Sequence, residues 1–155
     1  MKFAITGLPV ERFSPLFGLS PEVLAARQIV RQTVDSKPGF PCRVTLEDAE
    51  PGETVLLLNH EHQSAPTPYR ASHAIFVREA AKETVRLENE IPEVFLGRRL
   101  SIRAFDAAGM MVGADLCDGQ DAPALIERLF ADEAVAYLHA HNAGRGCYAA
   151  RIDRA

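Results

Sequence analysis

Tryptophan is absent, and aromatic residues make up only 7% of the chain. That leaves little material for a stacking platform that would hold bases or sugars. Cysteine is scarce: Cys42, Cys117 and Cys147 are odd in number, far apart and without a CxxC pair. This excludes a disulfide framework and zinc-finger spacing. It fits free thiols in a reducing compartment, so a cytoplasmic location is expected. No apolar run approaches the roughly 18 residues of a spanning helix, so no membrane partner is expected. The first apolar stretch is broken by Gly7 and Pro9 and ends at Glu11, which is too short for a secretory signal. Positive charge is not in excess either, the net charge being -4. A nucleic-acid partner needs a basic stripe to displace counterions, so none is expected. HExxH is missing. Gly144-Arg145-Gly146 has no following helix to aim amides at a phosphate, and Arg98-Arg99 is only a dyad.

The chain has 155 residues, 47% hydrophobic and 25% charged. Those values describe one globular domain over 1–155, large enough to need neither a disulfide nor a structural metal. Alternation predicts strands over 2–8, 28–34, 42–46, 72–78, 84–88, 100–106, 110–116, 134–142 and 147–152. Residues 54–58 form a continuous apolar run, the mark of a strand covered on both faces. Ser20-Pro21-Glu22 starts a short helix that turns Val23 and Leu24 inward. A second helix begins at Asp121, with Leu125, Ile126, Leu129 and Phe130 on one face. Pro92 opens a helical turn. Residues 60–70 are polar, hold Pro66 and Pro68, and read as a loop. Most connections are short, which suits antiparallel strands and not parallel ones. The predicted fold is α+β: a single domain with a mostly antiparallel sheet and two or three helices packed on one face.

Three stretches, PGFPCRVTLEDAEPGE (38–53), LLLNHEHQSAPTPYRASHAIFVRE (56–79) and AYLHAHNAGRGCYAARIDR (136–154), resemble a bacterial family of single-domain proteins called domain of unknown function 1203. The resemblance spans nearly the whole chain. It implies a small cytoplasmic protein and supplies no activity, cofactor or catalytic residue.

The five histidines fall in two groups: His60, His62 and His73, then His139 and His141. Along a strand, His139 and His141 share one face, and the small apolar Leu138 and Ala140 share the other. The imidazoles therefore face away from the helical layer, on an uncovered face of the sheet. Such a pair can bind zinc or a redox metal if His62 or His73 adds a ligand. With no recognised ligand spacing, the expectation is no tightly bound metal and no cofactor. The loop before His73 presents Tyr69, Arg70 and Ser72 on a proline-stiffened frame. A phenol, a forked cation, a hydroxyl and an imidazole suit a carboxylate or phosphate. An Arg70 bridge to Glu61 or Glu79 is the purely structural alternative.

Cys147 depends on hairpin register. A two-residue turn at Gly144-Arg145 sets His141 opposite Tyr148 and buries Cys147 away from the histidines. A three-residue loop sets Cys147 opposite His141 as a candidate nucleophile. The first has the better turn chemistry, so an inert, slowly reacting thiol is expected. The candidate site is therefore His62, Tyr69, Arg70, Ser72, His73, His139 and His141, binding an acidic small molecule. An enzyme using these histidines for acid–base or metal-assisted chemistry is the alternative. A third reading is an interaction domain without a pocket, and a homodimer stays open under any of them.

Overall fold

The computed structural model describes residues 1–155. In chain order the elements are β1 (Phe3–Thr6), α1 (Pro21–Ala26), β2 (Val30–Thr33), β3 (Thr54–Gln63), β4 (Ala71–Arg78), β5 (Arg86–Glu88), β6 (Arg99–Phe105), β7 (Met111–Asp118), α2 (Ala122–Phe130), β8 (Tyr137–Asn142) and β9 (Tyr148–Arg154). Every pairing between these strands is antiparallel. The fold is thus α+β and largely antiparallel, as the short connections imply. The strands divide into two sheets. One has six strands in the order β5-β1-β9-β8-β6-β7, and the other has three in the order β2-β3-β4.

Each sheet has its own core. Leu125, Ile126 and Phe130 of α2 pack on Ile102, Leu138, Ala140 and Ile152 of the larger sheet. Alternation supplies that face, because every second residue of β6, β8 and β9 is small or aliphatic. Leu24 of α1 packs with Leu56, Leu58, Ile75 and Val77 of the smaller sheet. Ser20 caps α1, its Oγ accepting from Val23 N at 3.2 Å. Val23 itself is 41% exposed, not turned inward, since α1 has only one buried residue.

Two segments differ from expectation. Cys42–Leu46 is a turn and not a strand. Leu46 N donates to Cys42 O, and the Cys42 thiol accepts from Val44 N, Thr45 N and Arg78 N. Its alternating, β-branched residues are buried by wrapping around that sulfur, with Leu46 at φ 53°. Residues 60–63 extend β3 instead of opening a loop. They are polar because each has a polar or aromatic partner: His60 lies between Phe13 and Tyr148, Glu61 is bridged to Arg70, His62 meets His73 and His141, and Gln63 donates to the Tyr137 hydroxyl. The face of the larger sheet opposite α2 is likewise not bare. The smaller sheet lies against it, bringing His62 within 4.9 Å of His141, centroid to centroid.

Candidate functional site

Along β3, the period of two puts His60 and His62 on the face that carries Leu56 and Leu58. His73 of β4 lies opposite His60 and shares that face. Pairing then skips from Glu61–Ser72 to Gln63–Ala71. The bulge leaves His62 unpaired and re-aims its side chain, as bulges do beside functional sites. On the other sheet, β8 turns His139 and His141 away from α2, as alternation requires. The β8–β9 hairpin sets His141 opposite Tyr148, as the shorter turn would, but it turns through residues 143–146, and a bulge at Ala149 then pairs Ala140 with Ala150. Gly146 closes it at φ 78°, a conformation that favours glycine.

The rings interlock. His62 stacks on His73 at 4.8 Å and on Tyr148 at 5.2 Å. His139 meets Tyr148 edge-on at 5.3 Å, and His60 sits between Phe13 and Tyr148. Nε2 of His62 is 2.8 Å from Nδ1 of His73, so one proton is shared between them. Nδ1 of His141 is 2.9 Å from the Gly146 carbonyl and donates to it. Four buried polar atoms have no partner: His62 Nδ1, His139 Nδ1, His141 Nε2 and Asn142 Oδ1. Each such atom costs about 1–3 kcal/mol. Four within one cluster mark a place shaped for something other than stability.

Burial drives the histidines toward the neutral form. It pulls His139 and His141 down to about 3, helped at His139 by the neighbouring His141 and at both by the Arg103 guanidinium. His60 and His62 fall to about 4, again through burial first. His73 is lowered by burial, then by Arg103 and Arg43. At pH 7 these rings carry no imidazolium proton to donate. They are poor general acids and good lone-pair donors.

Beside the cluster is a cleft of about 770 Å³. Its walls include His73, Asn142, Cys147, Leu57, Phe76 and four arginines, Arg43, Arg98, Arg99 and Arg145. No Asp or Glu lines it. Arg98 is matched by Asp48 in a two-pronged pair at 2.7 and 2.9 Å. Arg43 is only 3% exposed and has no carboxylate partner. Its Nε donates to Tyr148 O at 2.8 Å and its Nη1 to Pro41 O at 2.6 Å. Burial lowers the pKa of Arg43, yet an arginine stays charged in any protein setting. Arg99 and Arg145 are exposed on the rim.

Of the residues expected at the site, His62, His73, His139 and His141 come together, and Tyr69, Arg70 and Ser72 do not join them. Ser72 pairs across the strand with Glu61, on the face opposite His73. Arg70 is bridged to Glu61, and Tyr69 is exposed. Arg70 and Ser72 border a separate shallow depression with Asn59 and Glu61, in which the guanidinium is already neutralised. Because the Arg70 side chain is 66% exposed, Arg70→Ala should change stability by no more than about 0.5 kcal/mol in urea unfolding. A loss of several kcal/mol would show that the bridge holds the loop. Cys147 is a further difference. It pairs with Asn142 as the register predicts, but it is half-exposed on the cleft wall, with Asn142 Nδ2 3.4 Å from its sulfur. Sequence reading gave Arg43 and Tyr148 no site role and dismissed the Arg98-Arg99 dyad and Arg145, all of which the structure places at the cleft or beside it. Arg98 and Arg99 are neighbours, but Arg43 and Arg145 lie about fifty residues to either side, and no local pattern links the three positions.

No helix is long and apolar enough to cross a membrane. No curated protein and no solved structure matches the chain. A family model described as "protein of unknown function (DUF1203)" matches residues 39–154, which hold β3, β4, β8, the turn carrying Arg43 and every residue named above on the cleft wall. The chain belongs to that family, DUF1203.

Proposed function

We propose that the protein binds a small acidic molecule in the cleft beside β4, which is walled by residues of both sheets. One observation carries this reading: a chain of net charge -4 lines its cleft with four arginines and no carboxylate. A buried guanidinium without a counter-charge costs several kcal/mol, so Arg43 is held at a price in stability that an anion would offset. Its fork suits bidentate contact with a carboxylate or phosphate. Arg99 and Arg145 at the rim add attraction during approach. Leu57 and Phe76 offer apolar wall, so the ligand combines an acidic head with an apolar or aromatic body. Interior histidines that are neutral at pH 7 leave the positive charge to the arginines.

Cys147 provides the readout. Phenyl phosphate should slow its alkylation by iodoacetamide in a saturable way, and inorganic phosphate should do so less strongly. Peptide mapping separates Cys147 from Cys117, which lies on β7 of the larger sheet and should react at an unchanged rate. Alkylation of Cys147 that ignores both compounds at every concentration would remove the support for a ligand in this cleft.

A further inference from the structure

The imidazoles of His62 on β3, His73 on β4 and His141 on β8 come from three strands of two sheets. Their ligand nitrogens lie within 4.8 Å of one another. We infer that these three histidines form a binding site for a divalent transition metal ion of the zinc class. This goes beyond the binding of an acidic molecule and does not depend on it.

The chemistry of the donors fits. Neutral imidazole is the form that binds metal, and burial keeps these rings neutral. His141 is set in the orientation a ligand needs. Its Nδ1–H is held by the Gly146 carbonyl, so the lone pair is on Nε2. That atom is buried and partnerless in a residue with no exposed surface. Metal-bound histidines are oriented in this way, with the second ring nitrogen donating to a carbonyl or carboxylate. His62 and His73 already face each other across a shared proton. An ion would replace it, and the proton would move to the far nitrogen of the ring that carries it, with no net release.

Distance sets the movement required. Nitrogens bound tetrahedrally at about 2.0–2.1 Å from zinc sit about 3.4 Å apart. The His62–His73 pair must therefore open slightly from 2.8 Å. The widest separation must close by at most about 1.4 Å from 4.8 Å. Small side-chain rotations achieve both. His73 also lines the cleft, so the fourth coordination position opens there. Arg103 lies opposite His139 on β6 and lowers the pKa of all three ligands. With three uncharged ligands and this cation nearby, the fourth ligand is an anion from solution, or a bound water that becomes hydroxide by releasing one proton to solvent. Three protein ligands and an open position are the pattern of reactive zinc centres, not structural ones. An all-imidazole set favours zinc, copper, nickel or iron over magnesium and calcium.

The test uses the full chain after chelation and dialysis, with zinc chloride, cobalt chloride and magnesium chloride as probes and no organic anion present. Calorimetry should show one zinc per chain and no magnesium. Cobalt should give the intense visible absorption of four- or five-coordinate geometry. Zinc should raise the melting temperature in proportion to the logarithm of its concentration. His73→Ala removes a half-exposed ring from an edge strand and should lower zinc affinity by at least about 100-fold. His60→Gln, on the same sheet face but outside the trio, should leave it unchanged. Absence of zinc uptake, equal uptake by the wild type and His73→Ala, or the weak absorption of six-coordinate cobalt would each overturn the inference. If His73→Ala does not fold, the cobalt spectrum of the unaltered chain decides alone.

Discussion

Metal-free protein moved from pH 7.5 to pH 5 should lose about 4 kcal/mol of stability through His139 and His141 alone. Their folded pKa values are about 3, against an ordinary value of 6.5. Above about pH 6.5 both states hold the rings neutral, and no stability is lost. As the pH falls below that value the unfolded chain takes up protons that the buried rings refuse. Stability then drops by about 1.4 kcal/mol per pH unit for each histidine, levelling off only near the folded values. At pH 5 the loss is about 2 kcal/mol per ring. His60 and His62, at about 4, act in the same direction. A total of about 4 kcal/mol is a large share of the 5–15 kcal/mol that holds a typical domain. Urea unfolding at several pH values, with chelator present, measures it. Stability that stays flat from pH 7.5 to 5 would mean that the imidazoles are solvated, and the closed packing of the two sheets would be wrong.

Arg43→Met should abolish most of the affinity for an acidic ligand while leaving the chain folded. A charge-assisted hydrogen bond contributes about 1.5–3 kcal/mol, so losing the guanidinium should weaken phenyl phosphate binding about 10–150-fold. Two opposing effects set the change in stability. The bonds to the carbonyls of Tyr148 and Pro41 disappear. The cost of holding an unpaired charge in the interior disappears too, and methionine fills much of the same volume. Replacing buried charge with apolar side chains of similar size is often neutral or better, so the net loss should stay below about 2 kcal/mol. Binding that survives in Arg43→Met, or a variant that cannot fold, would assign the residue a structural role. Arg70→Ala is the matched control and should bind as the unaltered chain does, because its charge is bridged to Glu61 outside the cleft.

The strands, the helices and the direction of His139 and His141 were legible because each rests on a local period or cap. Of the β8–β9 register only the His141–Tyr148 pairing was legible: the chain turns through residues 143–146, with Gly146 N donating to Asn142 O, and an extra residue at Ala149 then pairs Ala140 with Ala150. The meeting of the two sheets was not legible. It depends on how β3 and β4 lie across β8 and β9, which no local pattern encodes. The polar run His60–Gln63 looks like a loop only until its partners are known: Tyr148 for His60, Arg70 for Glu61, two histidines for His62 and Tyr137 for Gln63. Cys42–Leu46 misleads in the opposite way, since a turn buried around a sulfur carries the same apolar alternation as a strand. Ser72 and His73 show a signal that was present and set aside. Neighbours on a strand point to opposite faces, so both could not serve one site. Arg43 gave no signal, because its significance lies in the carboxylate it lacks.

The central claim is that an acidic molecule binds in the cleft beside β4 at Arg43. It is tested most directly by a ¹H–¹⁵N correlation titration with phenyl phosphate that follows backbone amides and arginine side-chain Nε–H groups. The account predicts saturable shifts of the Arg43 Nε–H and of the amides of Arg99, Arg145 and Cys147, with Tyr69, Arg70 and Ser72 unmoved. Shifts confined to Tyr69, Arg70 and Ser72, or no saturable shift at Arg43, would contradict it.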